Sequence, residues 1–179
     1  MFNIVGCYAL SEEATVPFLG TEMSACHDLC ACFHNEKVKL HGRSEGITVE
    51  NFGTRDAFIR LFPEDMALVP TGLIFCLPKH YFMDIRSRSG NTWKRFLTVA
   101  NQPGTIDPDY TKETFVLLHN QSLSSQIIKT GDAIAQVKLT EKIRADFVTI
   151  DEEQFNHFKS EVEISTSRDG GFGSTDKDK

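Results

Sequence analysis

The run Met66-Ala67-Leu68-Val69-Pro70-Thr71-Gly72-Leu73-Ile74-Phe75-Cys76-Leu77 sets the reading of the chain. Two short apolar stretches flank Pro-Thr-Gly, where proline presets φ and glycine admits a turn. Helical periodicity is scarce here and elsewhere, and the same pattern continues outward. Phe96 to Val99, Phe115 to Leu118 and Ala133 to Leu139 are further β-rich runs. Ser89-Gly90-Asn91, Asn101-Gln102-Pro103-Gly104 and Thr130-Gly131-Asp132 punctuate them as turns. Many short strands at such spacing predict an all-β sandwich or jelly-roll architecture. Two segments are expected to hold helix: Thr54 to Leu61, and Asp151 to Glu163, whose acidic start suits the positive end of a helix dipole.

The chain has 179 residues, 40% of them hydrophobic and 25% charged, so a single core is feasible. Its 19 basic and 25 acidic residues give a net charge of −6, with no basic block. Long nucleic acid and anionic membranes both attract clustered Lys and Arg, so neither is an expected partner. No apolar stretch approaches the roughly 18 residues of a membrane span. The opening Met1-Phe2-Asn3-Ile4-Val5-Gly6 lacks the features of a secretory leader, so a soluble, cytoplasmic protein is expected.

Cys7, Cys26, Cys30, Cys32 and Cys76 are odd in number, which suits reduced thiols better than a disulfide framework. Cys26, His27, Cys30, Cys32 and His34 lie close together but lack the paired spacing of a zinc site. Cys30 and Cys32 alternate as small apolar residues on one face of a strand do.

Three stretches suit phosphate or sugar. Arg88-Ser89-Gly90 sets a guanidinium, a hydroxyl and a backbone N–H side by side, a trio able to grip oxyanions. Asn101 through Tyr110 is turn-rich, with two carboxylates and an aromatic ring, and reads as a hairpin. Gly131-Asp132 turns into a strand that carries the amide of Gln136. The last twelve residues, Arg168 to Lys179, contribute little core, but their glycines can lay N–H groups around an anion.

In order and spacing, these residues resemble the five motifs of the trimeric dUTPase family. The counterparts are Ser24-Ala25-Cys26-His27-Asp28-Leu29, Arg88-Ser89-Gly90, Asn101 through Tyr110, Gly131-Asp132 with Ile134-Ala135-Gln136, and Gly170-Gly171-Phe172-Gly173-Ser174-Thr175. The third and fifth are the specific ones. Departures are a longer stretch from Phe33 to Pro63, an extended link from Asn156 to Thr166, and Ser87 where the family usually has Pro. Arg168 stands four positions before Phe172, where the family usually has five, and Ser167 occupies the usual place.

The resemblance implies a distorted jelly-roll or β-barrel subunit of the dUTPase type, with one or two short helices and a flexible C-terminal arm. The expected division is a β domain over 1–150, an acidic linker over 151–166 with room for a helix, and a glycine-rich arm over 167–179. The implied activity is hydrolysis of dUTP to dUMP and pyrophosphate, with Asp107 activating the attacking water. Tyr110 would pack under the deoxyribose, leaving no room for a 2′-hydroxyl. Asn101, Gly104 and Ile106 belong to the segment that would read uracil. Arg88, Ser89, Gly90 and Gln136 would hold phosphates. Phe172 would stack on the base while Arg168, Gly173, Ser174 and Thr175 close over the phosphates. Mg²⁺ is the implied cofactor, held mainly by the phosphates, with Asp28 acting through water. A homotrimer with sites shared between subunits is implied, in the cytoplasm or, for a viral source, the host's cytoplasm. Two other readings are open at this point. One is a dCTP deaminase of the same superfamily, which needs a Glu about ten residues after the third-motif Asp, where this chain has Leu117. The other is a regulatory protein on this scaffold, with the 33–63 segment as its partner surface.

Overall fold

Pro70, Thr71 and Gly72 carry the chain out of one sheet and into another. In the computed structural model, which describes residues 4–161, β7 (Met66–Pro70) ends at the proline and β8 (Leu73–Cys76) begins just after the glycine. Gly72 has φ +67°, and a Cβ there would lie 2.9 Å from Cys32 Sγ and 3.0 Å from Ala14 Cβ. Only glycine combines that backbone with that approach. The turn is pinned from outside: Thr71 Oγ1 donates to the Thr114 carbonyl at 2.7 Å, and the Gly72 N–H donates to Glu113 Oε1 at 2.9 Å.

The remaining strands are β1 (Gly6–Ala9), β2 (Phe18–Leu19), β3 (His27–Cys30), β4 (Lys37–Leu40), β5 (Arg43–Thr48), β6 (Phe58–Leu61), β9 (Tyr81–Arg86), β10 (Leu97–Val99), β11 (Gly104–Ile106), β12 (Phe115–Asn120), β13 (Gln126–Lys129) and β14 (Ala133–Glu141). They form two five-stranded antiparallel sheets, in the orders β10-β12-β7-β4-β5 and β11-β9-β14-β3-β2, and two ribbons, β1-β8 and β13-β6. One apolar cluster draws on both large sheets: Leu29, Met83, Ile85 and Val137 from one, Val69, Val99, Val116 and Leu118 from the other. Alternate residues of β12 are buried, as a strand with one face on a core requires. This is the jelly-roll-like β sandwich expected from the pattern of short runs.

Three local readings are corrected. Thr54 to Leu61 is no helix. Its second half is β6, whose burial alternates with period two and which pairs with β13, Ile59 facing Ile128. Long-range pairing of a β-branched, aromatic run overrides its weak helical propensity. Ser89-Gly90-Asn91 is no isolated turn but the first half of helix α1 (Ser89–Arg95). That helix stops at Phe96, left-handed at φ 53°, whose N–H returns to Thr92 O at 3.1 Å. Asn101 to Tyr110 is no self-paired hairpin, because β10 pairs with β12 and β11 with β9.

The long Phe33 to Pro63 stretch is built into the fold. It supplies β4, β5 and β6, and buries Val38, Leu40, Val49, Ala57, Ile59 and Leu61.

Contacts divide the chain into Met1–Ile143, just described, and Arg144–Lys179. The described part of the second unit holds helix α2 (Glu152–Glu161). Asp151 Oδ1 accepts the Gln154 N–H at 2.8 Å, and Gln154 Oε1 accepts the Asp151 N–H at 3.0 Å. This reciprocal capping starts the helix where the acidic run predicts it. No described helix is long and apolar enough to cross a membrane.

Candidate active site

The first, second and fourth sequence motifs meet at one cavity of about 500 Å³, lined by residues that include Ser24, Asp28, Arg88, Ser89, Gly90 and Gln136. The meeting follows from strand order. β14 lies between β9 and β3, with Gln136 opposite Arg86 on one side and Asp28 on the other. Residues distant in sequence thereby become neighbours across three strands. Arg88 then follows the end of β9 and opens α1.

An ion pair organises the wall. Arg88 Nε and Nη2 donate to Asp28 Oδ1 and Oδ2, both at 2.8 Å, a two-pronged geometry that a guanidinium matches. Arg88 Nη1 donates to the Ala133 carbonyl at 3.1 Å. That carbonyl sits where the β14–β3 register shifts between Ala133 and Ala135, an irregularity that loosens strand pairing. Asn91 Nδ2 also donates to Ala133 O, at 2.9 Å, and reaches Ile134 O at 3.4 Å. Arg88, expected from its motif to hold phosphate, is thus partly committed within the chain. Three of its five N–H donors are engaged, and Asp28 balances its charge. Two N–H donors remain.

Ser89, Gly90 and Gln136 add further polar groups to the cavity lining. Arg88 is the N-cap of α1 but makes no side-chain cap, so the first-turn N–H groups lack the partner a cap would provide. The Ser89 side chain is exposed. A Cβ on Gly90 would meet nothing within 4 Å, so packing within this chain does not require glycine there. Gln136 donates one amide hydrogen to the Ser87 carbonyl at 3.0 Å and keeps the other.

The third motif stands apart from this wall. Asn101, Gly104 and Ile106 line a second, smaller cavity of about 50 Å³ with Val99, Phe115 and Leu117. A Cβ on Gly104 would lie 3.2 Å from the Asn101 amide nitrogen, so a larger residue presses on that amide. Asp107-Pro108-Asp109-Tyr110 closes a turn in which the Tyr110 N–H donates to Asp107 O at 3.1 Å. The Tyr110 hydroxyl donates to Glu113 O at 3.0 Å, which fixes the ring's far end. Asp107 is exposed, and its carboxylate has no hydrogen bond or ion pair among the described residues. Arg168, Phe172, Gly173, Ser174 and Thr175 lie outside the described residues.

Sequence reasoning missed Asn91, Ser87 and Gln102. Asn91 is buried and ties α1 to β14. Its one signal was its place beside Arg-Ser-Gly, where Asn passes for a turn former. Burial opposes ionisation of three thiols, Cys7, Cys30 and Cys32. Cys30 is pushed up to about 11, first by burial and then by the charge of Asp28. Burial likewise raises Cys32 and Cys7. Thiolate, the reactive and metal-binding form, is thereby disfavoured.

The fold is an antiparallel sandwich, and its cavity is lined by a hydroxyl, an amide and a guanidinium with donors to spare, groups able to hold anionic oxygens. The dUTPase family model matches residues 55–176, and the chain belongs to the dUTPase family. The deoxyuridine 5′-triphosphate nucleotidohydrolase of Leptospira interrogans is 33% identical over 166 residues, 93% of this chain and 94% of that protein. The same-named protein of Cytophaga hutchinsonii is 42% identical over 119 residues, 66% of this chain and 71% of that one. Among solved structures, a variant dUTPase of Staphylococcus bacteriophage 80alpha with dUpNHpp covers 97% of this chain and 99% of its own, with TM-score 0.70 and 18% identity. A variant dUTPase from phage phi11 of S. aureus, described with a coordinated structural Mg(II) ion, covers 84% of this chain and 98% of its own, with TM-score 0.65 and 18% identity. At such identity the two phage structures speak for the fold.

Proposed function

We infer that the chain hydrolyses dUTP to dUMP and pyrophosphate. The observation that carries this reading is the convergence of Asp28, Arg88, Ser89, Gly90 and Gln136 on one polar cavity in a member of the dUTPase family. Phosphoryl chemistry asks a protein mainly for positioning and charge stabilisation. The first-turn N–H groups of α1, the Ser89 hydroxyl, the second Gln136 N–H and the two spare Arg88 donors hold phosphate oxygens. Gly90 keeps backbone open to their approach. The Asp28–Arg88 pair fixes the guanidinium so that its spare donors need no ordering when substrate arrives. Asp107 orients the attacking water and takes its proton, as an exposed carboxylate without a partner among the described residues is free to do. Tyr110 packs against the sugar, and Asn101 with the Gly104 backbone reads the uracil edge. Phe172 and the glycine-rich residues 173–175, with Arg168, cover base and phosphates.

Mg²⁺ fits a limited donor set. Among the described residues no three His, Cys, Asp or Glu side chains cluster to cage an ion. Asp28 offers hard oxygens with lone pairs to spare beyond its two bonds to Arg88. That suits an ion held chiefly by phosphates and water, with Asp28 in the water shell. When bound, it neutralises triphosphate charge.

A panel of deoxynucleoside triphosphates and UTP, with and without Mg²⁺, tests substrate and metal together. Pyrophosphate release is expected from dUTP, greatest with Mg²⁺, with little from dCTP, dTTP or UTP. Ammonia release from dCTP would favour the deaminase reading instead.

The phosphate-holding residues and Asn101, Gly104 and Ile106 line separate cavities of one chain. This supports a homotrimer in which one copy supplies the phosphate wall, a second the uracil segment and a third the C-terminal arm. Light scattering is expected to give three times the chain mass, and an active monomer would contradict the arrangement. The 33–63 segment remains a partner surface in this reading only through its exposed residues, since its apolar ones are in the core.

A further inference from the structure

We propose that Ser87 is a positioning residue that holds the 99–104 segment in place for base recognition, an inference resting on the reading of Asn101 and Gly104 as uracil-facing. Ser87 lies between the end of β9 and the start of α1, and all three of its polar functions are engaged. Its hydroxyl accepts the Val99 N–H at 2.8 Å, its own N–H donates to Gln102 Oε1 at 3.0 Å, and its carbonyl accepts Gln136 Nε2 at 3.0 Å.

The hydroxyl bond has a structural reason. β10 is the edge of its sheet, paired only with β12. Ala100 N–H points to β12, donating to Leu117 O at 2.8 Å. Antiparallel N–H groups alternate in direction, so the Val99 N–H faces away from β12, where no strand receives it. Val99 is buried, and an unmet N–H there is costly. Ser87, arriving from the other five-stranded sheet, supplies the acceptor. Its N–H then grips the Gln102 side chain three residues on.

These two bonds bracket Asn101. Beyond it, Gly104 pairs with Ile85 of β9, so β11 and the Asp107 turn keep their anchor without Ser87. The consequence is a division of labour: losing the hydroxyl loosens the base-reading residues more than the water-orienting one. Proline, the family's usual residue at this place, has neither N–H nor hydroxyl. In this chain hydrogen bonds stand in place of a fixed ring.

Steady-state kinetics with dUTP on Ser87→Ala, Ser87→Thr, Gln102→Ala and Asn101→Ala tests the proposal. Ser87→Ala is expected to raise KM about five- to tenfold, the scale of one hydrogen bond, with kcat within about twofold. Ser87→Thr, which retains a hydroxyl, should restore KM to within about twofold of the parent. Gln102→Ala should raise KM by a smaller factor and serves if Ser87→Ala fails to fold. A parental KM in Ser87→Ala, while Asn101→Ala raises KM, overturns the role of Ser87 alone. So does a loss confined to kcat, or an equal KM loss in Ser87→Thr. A parental KM in Asn101→Ala removes the base-reading assignment itself.

Discussion

Asp107→Asn is expected to lower kcat for dUTP by about 10²- to 10⁴-fold, the range supplied by a positioned general base. Asparagine keeps the shape of the side chain and its ability to hydrogen-bond a water, but it takes no proton at neutral pH. KM should change little, because the phosphate wall and the base-reading segment are untouched. Stability should also hold. The Asp107 carboxylate is exposed and has no partner among the described residues, and the turn bond to Tyr110 uses the backbone carbonyl. Single-turnover kinetics with a melting curve on the same sample checks both halves. Near-parental cleavage with an intact fold would remove Asp107 from the chemistry, whereas a large fall in melting temperature would make the loss structural.

The Asp28–Arg88 pair is expected to give the largest stability effect among the site residues. Its side chains are 17% and 33% exposed, so it lies between a solvated surface pair and a buried one. Removing either partner strands the other, and Arg88→Ala also takes one of two donors from the Ala133 carbonyl, leaving Asn91 Nδ2. Each single alanine variant should therefore cost about 2 kcal/mol in urea unfolding. The double variant should cost less than the sum, with a coupling of about 1–2 kcal/mol. Arg88→Lys should recover little, since an ammonium lacks the fork that meets both carboxylate oxygens. Additive losses, or single variants within about 0.5 kcal/mol of the parent, would show the pair to be a solvated contact. Activity should fall in all three alanine variants, because the spare guanidinium donors and the start of α1 depend on the pair.

The strands were legible because their signals are local. Leu68, Val69, Leu73 and Phe75 lie in short apolar runs between turn residues, and these became β7 and β8. Helix α2 was legible for the same reason, its acidic start doubling as a capping pair between Asp151 and Gln154. The failures share a cause as well. Ser89-Gly90-Asn91 has turn composition, and it is helical where Asn91 and Arg88 meet carbonyls at the β14 irregularity. Phe58 to Leu61 pairs with a strand some seventy positions away, an effect that no local window contains.

The sequence by itself determined that this is an all-β, acidic chain with the motif order of the dUTPase family, because turn chemistry, apolar runs and motif spacing are properties of neighbouring residues. It named Asp28, Arg88 and Gln136 as members of one site. Only the tertiary structure decided their relations. Asp28 and Arg88, sixty positions apart, become one ion pair, and Ser87 becomes the stitch between sheets. The physical reason is that a guanidinium, a hydroxyl or an amide has several possible partners in sequence. Strand order and a register shift select the partner that stands within hydrogen-bond reach.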